Sequence, residues 1–312
     1  MSLMEYKEIK EALNLYSLDS YEPIRLIRES ADNKVFMVGD SKNIFRVSKR
    51  LPVEDVLFEE RCLGHLKKLG VSVPLIVQTT LGGNHVTIGG KPAVLFEYVP
   101  GFHLAVDKEN LPKPEQAFSA GRELGLIASA GKSFKSIDSR KRDILTELNR
   151  AISLEGFFEK KFPEGAEFIG HVKEAIAFWE GSQDEELGLI HNDYRPGNVL
   201  FLENKVSAVI DFDWAFIGPI IKDVALAVLE WSFPDGRVEP DDTIFDEFLK
   251  GYNSTSCEKV QRDERLFTWI CFCALSDSAT YFCDLVESGD IVKKNKLSSY
   301  MYTKFLYFLK KR

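Results

Sequence analysis

Residues 189–213 read Leu-Ile-His-Asn-Asp-Tyr-Arg-Pro-Gly-Asn-Val-Leu-Phe-Leu-Glu-Asn-Lys-Val-Ser-Ala-Val-Ile-Asp-Phe-Asp, two β-rich runs at 199–202 and 206–210 around a turn former. With Asn204-Lys205 as a two-residue turn, Glu203 pairs with Val206 and, counting outward, Asn198 falls opposite Asp211. An amide oxygen beside a carboxylate at the open end of a hairpin is a hard ligand pair that suits Mg²⁺, an ion that also keeps waters and substrate phosphates. Asp193 lies on the loop entering the hairpin. A carboxylate there can take the proton of an attacking hydroxyl, and phosphoryl transfer asks for little beyond that except positioning and charge neutralisation. Each residue alone is ordinary turn chemistry. As H-x-D-x-x-x-x-N followed by a strand-borne I-D-F, they point together to function.

The chain has 312 residues, enough for about two ordinary domains and a sizeable core. Its 40 Lys and Arg stand against 48 Asp and Glu, a formal charge of −8 with no basic run to offset it. Nucleic acid and anionic membrane surfaces are therefore excluded as main partners. No apolar stretch approaches the roughly 18 residues of a membrane span, and MSLMEYKEIK lacks the regions of a signal peptide, so a soluble cytoplasmic protein is expected. Five cysteines (62, 257, 271, 273 and 283) form no C-x-x-C pair, and the five histidines form no H-x-x-x-H pair. Reduced thiols are expected, and any metal must use oxygen ligands.

Segments 22–28, 34–38 and 43–48 are β-type, separated by Ser30-Ala31-Asp32-Asn33 and Gly39-Asp40-Ser41-Lys42. Residues 53–69 follow a helical period opened by Pro52 and closed by Gly70. Two more strands are expected near 75–78 and 93–98, flanking Leu81-Gly82-Gly83-Asn84, before Pro100-Gly101 breaks the chain. Beyond it the periods at 114–130, 143–153, 167–180, 222–231, 243–252, 262–286 and 296–311 are helical. The expectation is α+β: a small antiparallel-sheet lobe with one helix over 1–99, a larger mainly α lobe over 100–312, and a ligand cleft between them.

These motifs resemble those of the aminoglycoside phosphotransferase and choline kinase superfamily, which includes type II homoserine kinases and is distantly similar to protein kinases. The catalytic motif H-G/N-D-x-x-x-x-N appears as His191-Asn192-Asp193-Tyr194-Arg195-Pro196-Gly197-Asn198, and the metal motif I-D-F/W-D/E as Ile210-Asp211-Phe212-Asp213. The resemblance implies a bilobal protein-kinase-like fold and transfer of phosphate from ATP, with Mg²⁺, to a hydroxyl of a small molecule. It implies Asp193 as catalytic base and Asn198 and Asp211 as metal ligands. Gly218-Pro219 and Asp223-Val-Ala225 resemble the family's G-P-x-x-x-D-x-A stretch, which gives Asp223 a bracing role; His191 is read as structural.

In the helix over 53–69, Val56, Leu63 and Leu66 mark the core stripe, and Glu59 falls within it. A carboxylate there is costly unless paired. Strand 43–48 supplies Arg46, a cation between Phe45 and Val47. By resemblance Arg46 stands at the family's nucleotide-binding strand lysine and Glu59 at its helix partner. Arginine's planar fork is not lysine's point charge, and the Gly-rich loop, Glu29 to Phe36, keeps its Asn-x-hydrophobic ending at Asn33 while lacking the glycine. Asn33 is placed among the nucleotide contacts. Residues 93–101 resemble the family hinge, offering a carbonyl at Glu97 and an N–H at Val99 to an adenine edge. Loss of Arg46 is expected to raise the Mg·ATP requirement far more than it affects folding.

In the helix over 262–286, Asp277, Tyr281 and Asp284 fall three and four apart and share a face. Acid plus aromatic surface suits an ammonium-bearing acceptor; the same residues also read as a half-solvated helix face. Asn192 is similar to choline and ethanolamine kinases, and Phe248-Leu-Lys-Gly-Tyr252 to type II homoserine kinases, so aminoglycoside, choline or ethanolamine, and homoserine-like acceptors all stay open. The alternative to an enzyme is a non-catalytic, kinase-like nucleotide-binding regulatory protein, motivated by Arg46 and the missing glycine. Intact Asp193, Asn198 and Asp211 weigh against it.

Overall fold

A computed structural model describes residues 3–30, 32–40, 43–104, 112–135, 144–182, 184–233 and 237–312. Ala31 of the first loop, Ser41 and Lys42 of the next turn, and position 143 of the expected helix lie outside the described residues.

The chain opens with α1 (Leu3–Leu13), which the sequence pattern did not predict because, among its described side chains, only Ile9, Ala12 and Leu13 are buried. Next come β1 (Ile24–Glu29), β2 (Asn33–Val38), β3 (Asn43–Ser48), α2 (Val53–Lys68), β4 (Val86–Ile88) and β5 (Lys91–Glu97). The five strands form an antiparallel sheet in the order β1-β2-β3-β5-β4. Phe36, Phe45 and Leu95 stand in register across it and pack with Ile9, Leu13 and Tyr16 into one core. Strand alternation sends Ile44 and Arg46 to the opposite face, toward α2. The expected strand at 75–78 is instead a flanking segment bonded to β5 through Val77 N–H to Leu95 O at 2.7 Å. Gly89-Gly90, both at positive φ, closes the real β4–β5 hairpin, since a two-residue turn of this hand favours glycine.

Past β6 (Phe102–His103) the larger part holds α3 (Pro114–Gly131), α4 (Thr146–Ser153), α5 (Glu155–Lys161), α6 (Gly165–Gly181), β7 (Leu187–Ile190), β8 (Val199–Leu202), β9 (Lys205–Val209) and β10 (Phe216–Pro219). It ends with α7 (Ile220–Ser232), α8 (Asp242–Thr255), α9 (Glu264–Glu287) and α10 (Tyr300–Leu309). The α2 residues Phe58, Leu63 and Leu66 join the core of these helices rather than the core beneath α1, so α2 packs across the two parts of the chain.

The β8–β9 hairpin departs from the expected register. Leu202 pairs with Lys205, so the turn is Glu203-Asn204, with Glu203 at φ +55°. Leu200 then pairs with Ala208 and Phe201 with Val206, leaving Ser207 as a bulge. Counting outward, Asn198 meets Ile210, whose N–H donates to the Asn198 carbonyl at 2.9 Å, and Asp211 lies one residue beyond. Gly101 passes close to the bulge; a Cβ there would come within 2.6 Å of Ser207 Oγ.

Helices α3 and α8 cross at glycines. A Cβ on Gly121 would sit 2.0 Å from the Phe248 carbonyl oxygen, and one on Gly251 would sit 2.0 Å from that of Phe118. Gly121→Ala is expected to destabilise the chain by about 1–3 kcal/mol, the ordinary cost of overpacking. An unchanged midpoint in thermal or urea unfolding would refute this close crossing.

By length and composition α9 does reach a membrane span, contrary to the sequence reading, but 67% of its apolar window is buried inside the protein. Its hydropathy is that of a central core helix, with Trp269, Phe272, Ala279 and Phe282 packed on neighbouring helices.

Candidate active site

The candidate catalytic loop, 191–198, runs from β7 into a 3₁₀ turn at Pro196–Asn198 that leads into β8. It is clamped from below. Asp223 accepts from the backbone N–H of His191 and of Asn192, both at 2.8 Å. His191 is fully buried, Asp193 N–H donates to its Nδ1 at 3.3 Å, and its Nε2 faces Ile210 O at 3.0 Å. Burial lowers its pKa, so it is a neutral brace. Tyr194 donates its hydroxyl to Ala120 O of α3 at 2.8 Å, and Trp231 of α7 donates to Tyr194 O at 3.2 Å. Asn192 is at φ +60°, a conformation that asparagine and glycine adopt at least cost. The backbone at this motif position thus favours Gly or Asn. The Asn192 side chain accepts from Lys222.

Asp193 Oδ2 accepts from Asn198 Nδ2 at 2.8 Å and lies 3.3 Å from Arg195 Nε. Burial pushes its carboxyl up to about 7, with Arg195 working against that rise. Both donor hydrogens of the Asn198 amide point toward Asp193, whereas its Oδ1 is buried and has no hydrogen-bond partner among the described residues. Asp211, at φ +68°, carries a carboxyl raised by burial and by neighbouring Asp213. An orphaned carbonyl oxygen and a desolvated carboxylate bordering the same cleft are the donor set a hard divalent cation takes. The residues present therefore fit Mg²⁺.

That cleft, roughly 1000 Å³, is bordered by Asn33, Arg46, Glu59, Glu97 and Val99 on one side and by Asp193, Asn198 and Asp211 on the other. Arg46 forms an ion pair with Glu59, with Nη1 to Oε1 at 3.1 Å, and its guanidinium lies 5.0 Å from the Phe96 ring. A second contact did not follow from the pattern: Arg46 Nη1 also meets Asp213 Oδ1 at 2.7 Å, and Asn33 Nδ2 donates to Asp213 Oδ2 at 2.6 Å. Burial opposes the arginine charge, but Asp213 and Glu59 more than offset it and hold its pKa above the usual range. Arg46 and Asn33 thus tie the sheet to the 212–214 turn. Ser30 Oγ accepts from the N–H of Asp32 at 3.2 Å and of Asn33 at 3.1 Å.

The three α9 residues separate. Asp284 accepts from Arg150 Nη2 at 2.7 Å, and Tyr281 carries Lys294 both on its hydroxyl, at 3.1 Å, and over its ring. Both are exposed and held by cations of the chain's own surface. Asp277 faces a different neighbourhood. Its side chain is exposed, yet desolvation pushes its carboxyl up to about 6, with Glu230 of α7 adding to the rise and Lys304, Arg195 and Lys222 opposing it. Glu230 also acts on Asp193. Helical spacing singled out Asp277 as a candidate but gave no signal for Glu230 or Lys222, which the packing of α7 brings into its neighbourhood.

An antiparallel sheet beside a mainly helical part, with Asp193, Asn198, Asp211 and the Arg46–Glu59 pair bordering one cleft, is the arrangement of a kinase-like phosphotransferase. The sequence profile of the phosphotransferase enzyme family matches residues 23–259, and the chain belongs to that family; it is a small-molecule kinase with an alcohol group as acceptor. A homoserine kinase of Xanthobacter autotrophicus is 26% identical over 235 residues, covering 73% of this chain and 71% of the relative. One from Rhodopseudomonas palustris is 27% identical over 262 residues, covering 79% and 74%. Among solved structures, an amicoumacin kinase in complex with AMP-PNP, Ca²⁺ and its ligand superimposes with a TM-score of 0.71 at 18% identity, over 98% of this chain and 92% of that one. A spectinomycin phosphotransferase in complex with ADP and spectinomycin gives 0.67 at 15% identity, over 98% and 93%. These likenesses establish the kinase-like fold.

Proposed function

We propose that the chain transfers the γ-phosphoryl group of ATP to the hydroxyl of a small amino alcohol, homoserine or a close relative, with Asp193 as base. The observation that carries this reading is the Asn198 amide, whose nitrogen holds the Asp193 carboxylate while its buried oxygen is left without a protein partner. Asn198 and Asp211 would hold Mg²⁺, which supplies charge neutralisation for the phosphates. Asp193 accepts the proton of the attacking hydroxyl, and Asn198 fixes the rotamer in which it does so. Glu97 and Val99 border the part of the cleft that would take the adenine. In this reading residues 1–99 serve the nucleotide and 100–312 carry the chemistry and the acceptor. Five free cysteine thiols support a reducing, cytoplasmic setting.

The homoserine kinase relatives and the carboxylates Asp277 and Glu230 beside the catalytic loop support an acceptor with an ammonium group. Tyr281 and Asp284, engaged by Lys294 and Arg150, are left outside this acceptor set. Steady-state kinetics with homoserine, ethanolamine, choline and an aminoglycoside would rank the acceptors. Asp277→Asn is expected to raise the acceptor KM by about 10–100-fold, the value of one charge-assisted hydrogen bond, without changing that for ATP. Equal KM values in the two proteins would remove Asp277 from the acceptor site.

A further inference from the structure

We propose that Lys222 binds a carboxylate of the acceptor, so that the site takes a zwitterionic hydroxy amino acid in preference to a plain amine, an inference that rests on the amino alcohol kinase reading above. Lys222 is 8% exposed, its ammonium donates to the side-chain oxygen of Asn192, and the Phe216 ring lies 6.0 Å away. Among the described residues it forms no ion pair. Asp223, the next residue, directs its two carboxylate oxygens to the N–H groups of His191 and Asn192 instead. A buried cation that meets only a neutral amide is costly until an anion completes its site. The other buried cations of the described residues are completed by the protein itself. Arg46 has Glu59 and Asp213, and Lys304 has Glu230 at 3.9 Å and Leu229 O at 2.6 Å. Lys222 also stands in the first turn of α7, where the helix dipole disfavours a cation and favours an anion beside it. Helix stability therefore does not account for it.

The opposite charge lies close by on the same two helices. Cys273 Sγ of α9 meets the Lys222 carbonyl oxygen at 3.6 Å, and Asp277 follows Cys273 one turn along the same face. Glu230 follows Lys222 two turns along the same stripe of α7. Lys222 and Glu230 both act on the Asp277 carboxyl, in opposite directions. A cationic end and an anionic end therefore stand side by side, next to the loop that carries the base. A plain amine would satisfy the two carboxylates and leave Lys222 without an anion. A molecule with a carboxylate, an ammonium group and a hydroxyl meets both ends. Because Lys222 is bonded to Asn192, the residue before Asp193, a carboxylate held there keeps the rest of a small acceptor beside the base.

Homoserine and aminopropanol, its counterpart without the carboxylate, isolate the group assigned to Lys222. The unmutated chain is expected to favour homoserine in kcat/KM by at least about tenfold, a comparison that needs no variant. Lys222→Met, once thermal unfolding has checked that it folds, is expected to raise the homoserine KM by about 10–100-fold, the value of one charge-assisted hydrogen bond. Its KM for aminopropanol should change far less, and Lys222→Arg should recover part of the loss for homoserine. Asn192→Gly removes the hydrogen bond to Lys222 yet suits the φ of +60°, and it should keep the preference for homoserine. Equal losses on both acceptors, the same loss of preference from Asn192→Gly, or a rise in the KM for ATP alone would overturn the assignment. So would an unmutated chain that phosphorylates aminopropanol as well as homoserine, although the kinase reading would survive that result. Failure of the unmutated chain to phosphorylate either compound would instead bring down the amino alcohol kinase reading, and this assignment with it.

Discussion

Asp193→Asn is expected to lower kcat by about 10²–10⁴-fold, the range for losing a positioned general base, while binding of Mg·ATP stays within about twofold. The substitution keeps the volume and an oxygen that can still accept from Asn198 Nδ2, so the loop should retain its shape. What it removes is basicity at the one carboxylate that the loop, Asp223 and His191 are built to hold. Direct measurement of ADP and phosphorylated product in parallel would separate lost chemistry from lost binding. A kcat within a few-fold of the unmutated chain would move the base elsewhere.

Arg46→Met is expected to cost about 3–5 kcal/mol in urea unfolding, the penalty for removing one partner from a buried ion pair. Glu59 is 1% exposed and Asp213 4%, so neither carboxylate can turn to water when the cation is gone. The geometry thus revises the expectation drawn from the strand alone, which treated Arg46 as a phosphate ligand with little bearing on folding. Stability and nucleotide affinity should now fall together. Arg46→Lys should lose less, because it keeps the charge but cannot span Glu59 and Asp213 as a fork does. A loss below about 1 kcal/mol for Arg46→Met would mean that the pair behaves as a solvated surface bridge.

The parts of this account that were legible in the sequence are those set by local spacing. The loop from His191 to Asn198, the Asp211 that follows, and the Glu59 displaced onto an apolar stripe all announce themselves within a few residues. Long-range consequences did not. Asn33 and Asp213 are 180 residues apart and meet only because the sheet folds over the 212–214 turn. The hairpin register shifted because Glu203 takes a left-handed turn position and Ser207 bulges, neither of which residue type alone dictates. The shared face of Asp277, Tyr281 and Asp284 was real as a helical spacing, but α9 is long enough for Asp277 to stand near the catalytic loop while Asp284 pairs with Arg150 of α4. The positive φ of Asn192 is likewise invisible in sequence.

The central claim is that Asp193 drives transfer of phosphate from Mg·ATP to a small amino alcohol. Phosphorus NMR of the purified chain with Mg·ATP and homoserine tests it most directly. The account predicts a new phosphomonoester signal growing in step with ADP, at a rate reduced by orders of magnitude in Asp193→Asn. ADP release without a phosphorylated acceptor, across homoserine and related amino alcohols, or equal product from both proteins, would contradict it.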